Sequence, residues 1–373
     1  MLPLLVSTVT ILSLFASAAA EEFPVGVAHL RGRSHVDAGD TLCSLLIEPA
    51  GYPCTEHTIQ TKDGYLLALQ RVSSSNGGLR MQRGPPVLLQ HGLFMGGDAW
   101  FLGSPEESLG FILADQGFDV WVGNVRGTFW SHGHVSLSKK DKEFWDWSWQ
   151  ELALYDLAEM IHYISSATNS KVFIVGHSQG TIMSLAALTQ QNIAEMVEAA
   201  ALLCPISYLE HVTAPLVLRM VGFHLDQMVL AMGIHQLNFK SQILINLLDS
   251  MCDKHPDCAD LLTSITVIRQ GTFSQYDYGI IKNLRLYGQA EPPAFDLSRI
   301  PKSLPLWMAY GGQDALADIA DVQHTLKELQ SKPELVYLEN YGHIDFLLSV
   351  RAKEDVFNHM INFFRSSGKS TSS

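Results

Sequence analysis

The sequence has no Asn-x-Ser/Thr motif and no internal repeat, and its only low-complexity segment is the polar tail Ser366–Ser373. N-linked glycosylation is therefore not expected. Basic residues are also few, with 25 Lys and Arg against 38 Asp and Glu, which gives a formal net charge of −13 at pH 7. This excess of negative charge argues against binding to nucleic acid and against electrostatic docking on anionic membranes.

Long apolar runs are missing as well. After the first 20 residues, no stretch reaches about 18 uninterrupted apolar residues, so no integral membrane span is expected. Residues 1–20 carry no charged side chain, have an apolar centre at Leu4–Phe15 and end in the small residues Ala16–Ala20. This pattern predicts a signal peptide that is cleaved after Ala18 or Ala20. The protein is then expected to be secreted or to reside in a vacuolar or lysosomal compartment.

The five cysteines are few, but they suit an oxidising compartment. Cys43 and Cys54 flank a proline-glycine turn, and Cys252 and Cys258 lie close together in the sequence. These two pairings are preferred, although four cysteines allow three pairings. Cys204 lies in an apolar run and is expected to be a buried free thiol.

The most informative motif is Gly176–Gly180, a G-x-S-x-G sequence with Ser178 at its centre. An apolar run typical of a strand, Lys171–Val175, precedes it, and a run typical of a helix, Thr181–Leu188, follows it. In this strand–turn–helix context the sharp turn exposes the serine hydroxyl above the positive end of the helix. The pattern therefore predicts Ser178 as a nucleophile.

A serine nucleophile needs a base, and the base needs an orienting acid, in the chain order Ser, Asp or Glu, His. Asp314 follows an apolar strand-like run, and His343 follows the next one. The long interval between Ser178 and Asp314 leaves room for an inserted domain, and the short interval before His343 fits one helix and one strand. We therefore predict Ser178, Asp314 and His343 as a catalytic triad.

Three other acids compete with Asp314 for the role of orienting acid. Asp318 and Asp321 fall where a helix is expected to begin, and negative charge at that position suits the helix dipole. Asp345 is next but one to the predicted base and would have to fold back onto it. Asp314 is preferred to all three.

A strand-like run, Pro85–Gln90, precedes the glycine-rich segment His91–Gly97. When a serine nucleophile lies at a turn between a strand and a helix, two backbone N–H groups stabilise the oxyanion that forms on the substrate. One comes from the loop after the third strand of the sheet, and the other comes from the residue after the nucleophile. We assign these donors to Leu93 and Gln179.

These motifs resemble those of the acid lipases, a family that includes gastric lipase, lysosomal acid lipase and plant triacylglycerol lipases. The resemblance covers nearly the whole chain after the first 20 residues and is greatest to the plant branch, through Gly51–Ile59 and Phe144–Trp149. The segments that carry the family resemblance are Gln90–Leu93, Asn124–Gly127, Gly176–Thr181, Tyr276–Gly279, Gly311–Asp314, Leu316–Asp318 and Gly342–His343. It implies hydrolysis of acylglycerol or sterol esters, with the same three residues as the triad.

One departure concerns the cap that such lipases insert into the fold. Members of the family usually carry some tens of additional residues between the positions of Thr266 and Arg269, and here the two positions nearly adjoin. The cap is therefore expected to be shortened. A Met-rich helical stretch at 214–232 suits an apolar face over an acyl pocket, or simple packing on the core.

The predicted fold is an α/β hydrolase with a mostly parallel eight-stranded sheet and an inserted helical cap. The first two strands are expected to form a hairpin around Asp63–Gly64. A helix is expected at Asp146–Ser165, and Arg126 is expected to bridge loops. The predicted strands lie near 57–62, 65–71, 86–90, 118–123, 171–175, 199–204, 305–310 and 334–338. The predicted domains are a signal peptide at 1–20, the core at 21–207 and 290–373, and the cap at 208–289.

The predicted activity is two-step acyl transfer on neutral lipids, acting on a lipid substrate or at a lipid droplet surface. No cofactor is expected, and no metal, because Cys252-x-x-His255-x-x-Cys258 offers three ligands on a short loop without a fourth. The alternatives are a carboxylesterase on soluble esters and a catalytically impaired, shortened-cap form that only binds lipid. The sequence leaves the oligomeric state open.

Overall fold

A mostly parallel β-sheet forms the centre of the protein. The structure is a computed structural model that describes residues 40–74, 84–93, 95–213 and 273–368. The strands are β1 Cys54–Gln60, β2 Tyr65–Val72, β3 Pro86–Gln90, β4 Asp119–Gly123, β5 Gly133–His134, β6 Val172–His177, β7 Val197–Leu203, β8 Leu306–Gly311 and β9 Glu334–Leu338. Their order in the sheet is β1-β2-β4-β3-β6-β7-β8-β9, with β5 paired to β2.

The strands from β4 to β9 in this order all pair in parallel, whereas β1 pairs with β2, and β2 with β4 and β5, in antiparallel fashion. Every residue of β3, β4 and β6 is buried. Helices cover both faces of a parallel sheet, so residues on both faces of a central strand are buried. Continuous apolar runs such as Val172–Val175 suit this burial. The parallel pairing places the carboxyl ends of β3, β6, β8 and β9 along one edge.

Helices connect the strands and pack on the sheet, with α1, α3 and α9 in contact with strands of the centre. The α-helices are α1 Leu109–Asp115, α2 Trp149–Glu151, α3 Ala158–Thr168, α4 Gln179–Leu188, α5 Gln191–Ala194, α6 Ile280–Tyr287, α7 Ile319–Glu328, α8 Asp345–Leu348 and α9 Asn358–Ser367. A π-helical segment, Leu152–Leu157, joins α2 to α3. The core between these layers includes Trp121, Phe173 and Trp307, each almost completely buried.

The predicted α/β-hydrolase sheet is confirmed, with eight strands on its continuous path. The hairpin around Asp63–Gly64 is also confirmed, since β1 and β2 pair on either side of it. The sequence did not predict β5, a strand of two residues that has no apolar run to signal it. The bounds predicted for the helix at Asp146–Ser165 were wrong by three residues at each end, because helical structure begins at Trp149 and ends at Thr168.

The start of that helix is set by a capping box. The Ser148 N–H donates to Glu151 Oε2 at 2.7 Å, and the side chain of Ser148 accepts the Glu151 N–H in return. Such a box satisfies backbone donors that have no partner in the first turn. Ser148-x-x-Glu151 was a visible signal that the sequence interpretation overlooked.

Arg126 ties the loop after β4 to the hairpin turn and to the helix before β6. Its guanidinium donates to both oxygens of Asp63 and to Asp156 Oδ1, and lies 3.9 Å from the centre of the Tyr65 ring. Burial alone would lower the pKa of Arg126, but the two carboxylates outweigh it and raise that pKa. The prediction that Arg126 bridges loops is confirmed.

Cys43 and Cys54 form a disulfide, and Cys204 is a buried free thiol, as predicted. No helix among the described residues is both long enough and apolar enough to cross a membrane. Four predictions lie outside the described residues: the signal peptide at 1–20, most of the cap at 208–289, the Cys252–Cys258 pair and the Met-rich stretch at 214–232.

Candidate active site

Ser178 occupies the sharp turn between β6 and α4. Its backbone has φ +53° and ψ −117°, which is a rare conformation for a residue other than glycine. The turn is held from two sides: the Ser178 N–H donates to the Leu203 carbonyl at 3.0 Å, and the Thr181 N–H donates to the Ser178 carbonyl at 2.8 Å. Surrounding structure that fixes a strained residue in this way is typical of functional sites.

The two glycines of the motif are required by close packing at this turn. A Cβ on Gly180 would lie 2.4 Å from the Gln90 carbonyl oxygen, and one on Gly176 would lie 2.7 Å from the Gly180 carbonyl oxygen. Both distances are far shorter than a contact between real atoms allows. The helix after Ser178 can therefore approach strand β3 only because Gly180 has no side chain, and it can turn back against strand β6 only because Gly176 has none.

Ser178, His343 and Asp314 are joined by two hydrogen bonds. His343 Nε2 lies 2.7 Å from Ser178 Oγ, and His343 Nδ1 lies 2.8 Å from Asp314 Oδ2. Because an ionised carboxylate only accepts, the proton of the neutral imidazole belongs on Nδ1, and Nε2 is free to accept from the serine hydroxyl. This is the hydrogen-bonded order of a nucleophile, a base and an orienting acid.

Asp314 is held as an anion by its own surroundings. Its Oδ1 accepts hydrogen bonds from the N–H groups of Leu316, at 2.9 Å, and Ala317, at 2.8 Å. Burial raises the pKa of Asp314, but the hydrogen bond and charge of His343 and the two backbone donors outweigh it, and the pKa falls to about 2. The carboxylate is therefore available to orient His343 at any pH above that value.

The three competing acids have other partners. Asp318 caps α7 by accepting the Ala320 N–H, and Asp345 accepts the Gly342 N–H. Asp321 accepts hydrogen bonds from the N–H and from the ring of His211. The structure thus brings Asp314 to His343 and leaves these acids in local structural contacts.

The loop after β3 passes directly against the nucleophile. A Cβ on Gly92 would lie 3.1 Å from the Ser178 Cβ, so only glycine leaves this approach unhindered. Leu93 follows it, half-buried, and Gln179 is the first residue of α4, where a backbone N–H has no carbonyl one turn earlier to accept it. The loop and the helix start therefore flank Ser178 as the assignment of the two donors requires.

His91 fixes this loop, a role that the sequence interpretation missed. Its Nδ1 lies 2.7 Å from the Gly92 carbonyl, and its Nε2 accepts the Val125 N–H at 3.3 Å. Burial lowers the pKa of His91 and keeps the ring neutral, so it can donate at one nitrogen and accept at the other. A histidine next to the glycine of this loop was the signal available in the sequence.

Comparison with known proteins assigns the family. The family model described as "alpha/beta hydrolase fold" matches residues 85–350, and that of a "partial alpha/beta-hydrolase lipase region" matches residues 43–104. Triacylglycerol lipase 1 of Arabidopsis thaliana is 62% identical over 401 residues, covering 99% of both chains. The chain belongs to the acid-lipase type of α/β hydrolases.

Other acid lipases align over most of this chain too. Triacylglycerol lipase 2 of Arabidopsis thaliana is 34% identical over 88% of each chain, and gastric triacylglycerol lipase of Rattus norvegicus is 30% identical over 86% of this chain and 90% of its own. A solved structure of a soluble variant of monoglyceride lipase from Saccharomyces cerevisiae has the same fold, with a TM-score of 0.53 at 16% identity over 84% of this chain and 96% of that one.

As an acid-lipase-type α/β hydrolase, the protein is a carboxylic ester hydrolase.

Among the described residues, one group has the ligand atoms of a possible metal site within 4.8 Å of one another: Cys204, Asp314 and His343. A metal there would have to displace the hydrogen bond between Asp314 and His343. The other sequence candidate, Cys252–Cys258, lies outside the described residues.

Proposed function

We propose that this acid-lipase-type hydrolase cleaves acyl esters of neutral lipids, such as triacylglycerols, through an acyl-enzyme intermediate on Ser178. The observation that carries the chemistry is the continuous hydrogen-bonded path from Ser178 Oγ through His343 to Asp314. The lipid substrate is supported by the relatives, three of which are named as triacylglycerol lipases.

In the first half of the proposed reaction, His343 Nε2 takes the proton of Ser178 as Oγ attacks the ester carbonyl carbon. The tetrahedral intermediate carries its negative charge on the former carbonyl oxygen. When it collapses, the bond to the alcohol oxygen breaks, and the imidazolium returns the proton to the leaving alcohol. Asp314 stabilises the imidazolium and keeps the ring in the required tautomer.

In the second half, water repeats the sequence. His343 takes a proton from a water molecule, the resulting hydroxide attacks the acyl-enzyme carbonyl, and the proton passes to Ser178 Oγ as the fatty acid leaves. We assign stabilisation of both oxyanions to the backbone N–H groups of Leu93 and Gln179. Removing one such donor from a hydrolase typically costs about 3 kcal/mol of transition-state stabilisation.

The charge of the chain supports contact with neutral rather than anionic lipid. With a formal net charge of −13, the protein would be repelled by an acidic membrane surface, so a lipid droplet must be met through apolar contact. The Cys43–Cys54 disulfide fits passage through the secretory pathway. We propose secretion or residence in a vacuolar or lysosomal compartment on this basis.

We further propose that residues 208–289 form the cap of the lipase, in a shortened version. They lie between β7 and β8, which is where the chain leaves the sheet for its longest interval. The alignment with the 62% identical relative spans 401 positions, more than the 373 residues of this chain, so at least 28 of those positions are gaps in this sequence. A deletion of this size agrees with the tens of residues that other family members carry between the positions of Thr266 and Arg269.

The test is hydrolysis of emulsified trioleoylglycerol and of a short-chain soluble ester, at acid and neutral pH. Ser178→Ala is the blank, and Ser184→Ala is the matched control, because Ser184 is a buried serine on the same helix whose hydroxyl donates to the Gly180 carbonyl. We expect activity on the emulsion that Ser178→Ala abolishes and Ser184→Ala retains. Activity on the soluble ester alone would show that the protein is a carboxylesterase and not a lipase. A folded protein that is inactive on both substrates would contradict the proposal.

A further inference from the structure

The backbone carbonyl of His343 accepts two hydrogen bonds from side chains. His177 Nε2 lies 3.1 Å from this oxygen, and Cys204 Sγ lies 3.3 Å from it. The ring of the same residue is engaged by Ser178 and Asp314 at its two nitrogens. His343 is therefore held at its main chain as well as at its imidazole.

The two donors stand on the same rigid base as the nucleophile. His177 is the last residue of β6, and Cys204 directly follows β7, its neighbour in the sheet. The Cys204 N–H donates to the Ala309 carbonyl of β8, and the Cys204 backbone has a positive φ of 53°, as Ser178 has. The loop that carries His343 is thereby attached to the ends of the central strands.

His177 has the chemistry of a permanent neutral donor. A carbonyl oxygen only accepts, so the ring proton belongs on Nε2. Burial lowers the pKa of His177 to about 3, with a further contribution from His343, so the ring is uncharged at pH values well above 3. Its other nitrogen, Nδ1, is buried without a hydrogen-bond partner, which leaves the bond to His343 as the polar contact that this side chain makes.

The thiol of Cys204 is suited to the same task. Cys204 is completely buried, and burial, together with the charge of Asp314 and a hydrogen bond to it, raises the pKa of the thiol well above its ordinary value, so the S–H hydrogen is retained. The thiol hydrogen is thus placed between the Asp314 carboxylate and the His343 carbonyl, the two groups that fix the ring and the main chain of the base. A thiol is a weak donor, and a hydroxyl at this position would be a stronger one with a shorter reach. Neither donor brings a charge next to the imidazole that must itself become positive during the reaction.

We propose that His177 and Cys204 are positioning residues that hold the backbone of His343 by its carbonyl, so that the imidazole stays in line between Asp314 and Ser178. The inference deepens the proposed function, since it concerns the base of the same reaction. A base displaced by a fraction of an ångström loses alignment with both partners, and misplacement of about 1 Å can cost a hydrolase about 100-fold in rate.

The experiment compares variants that remove each donor with variants that keep it. His177→Leu and Cys204→Ala remove the donors, whereas His177→Gln retains an N–H near Nε2 and Cys204→Ser retains a hydroxyl. Five quantities are measured: kcat and KM on a short soluble ester, the rate of labelling of Ser178 by a fluorophosphonate, the low-field proton resonance of the His343 Nδ1–H bonded to Asp314, and the thermal unfolding midpoint. Ser184→Ala again serves as the buried control on α4.

We expect kcat to fall about tenfold in His177→Leu and about threefold in Cys204→Ala, the range that one lost hydrogen bond supports, with KM unchanged. The labelling rate should fall in parallel, the low-field resonance should weaken or shift, and His177→Gln and Cys204→Ser should recover most of the loss. A residue that only fills space would lower thermal stability in all four variants without this pattern of rescue.

An unchanged resonance and unchanged kcat in both donor-removing variants would overturn the inference. Cys204→Ala, which deletes only one sulfur atom, carries the test if His177→Leu does not fold. The resonance also separates the two proposals: a wild-type protein that neither labels nor turns over ester rejects the hydrolase mechanism, while the resonance in the variants still decides whether the carbonyl contacts position His343.

Discussion

Arg126 Nη2 and Asp156 Oδ1 lie 2.6 Å apart, and neither side chain is exposed to solvent at all. The same guanidinium also contacts Asp63, which is partly exposed in the hairpin turn. A charge buried this deeply is tolerated only when its partner and its hydrogen bonds are complete. The network therefore joins three parts of the core that are distant in sequence. The loss of any one partner should lower the stability of the whole fold.

Asp156→Ala should lower the free energy of unfolding by about 3–5 kcal/mol, because it leaves Arg126 buried without its main partner. Urea denaturation followed by tryptophan fluorescence measures the change. Arg351→Ala is the control, since Arg351 is 74% exposed and its only ion pair among the described residues, with Asp355, lies at the surface. The control should leave the midpoint nearly unchanged, and an equal shift in both variants would contradict a special role for the buried pair.

Gly180→Ala should disable the enzyme, because the added Cβ would lie 2.4 Å from the backbone oxygen of Gln90 and must push α4 away from β3. We expect labelling by a fluorophosphonate to slow by about 100-fold, the cost of moving a nucleophile by about 1 Å. Gly368→Ala is the matched control, since a Cβ there makes only ordinary contacts at 3.6 Å. Full activity in Gly180→Ala would show that the two elements can separate without affecting Ser178.

Asp314→Asn should reduce kcat by about 10⁴-fold, because an amide in place of the carboxylate favours the wrong tautomer of His343. Asp318→Asn tests the competing assignment: asparagine caps a helix as well as aspartate does, so activity and stability should both be retained. The measurement is kcat on a soluble ester for both variants. A large loss in Asp318→Asn together with a small one in Asp314→Asn would reverse the assignment of the acid.

His211 and Asp321 should give a small pH-dependent contribution to stability. The hydrogen bond and the charge of Asp321 raise the pKa of His211, whose ring is 55% exposed. A raised pKa in the folded state means that the contribution is fully present below the unfolded pKa, about 6.5, and is lost as the pH rises through the higher folded pKa. A proton NMR titration of His211 measures this, and Asp321→Asn should return the pKa towards the unfolded value.

Much of the fold was predictable because its signals are local. Each central strand is an apolar run flanked by turns, and Ser178 lies in a motif whose strand and helix flanks are visible in the sequence. The family resemblance placed Asp314 and His343 in the same order, and the structure brings their side chains together. Whether these residues catalyse the reaction remains a prediction that the substitutions above test.

The parts that escaped prediction depend on contacts between residues distant in sequence. Cys204 and His343 meet only because β7 and the loop after β9 end at one edge of the sheet, and no local pattern marks that meeting. Strand β5 exists because Gly133 and His134 lie opposite Leu66 and Tyr65, not because of any propensity of their own. His91 and Ser148 are different, since their neighbouring glycine and glutamate were visible signals.

Strands β7 and β8 pair directly, with Ala200 opposite Leu306, although about a hundred residues separate them along the chain. The hydrogen bonds of this pair fix both ends of the excursion, whatever its length. Each doubling of a flexible loop adds only about 0.6 kcal/mol of closure entropy, so insertions and deletions at this junction cost the catalytic edge little. The sheet can therefore accept changes of chain length between β7 and β8 without a change in the strand ends that carry Ser178 and His343.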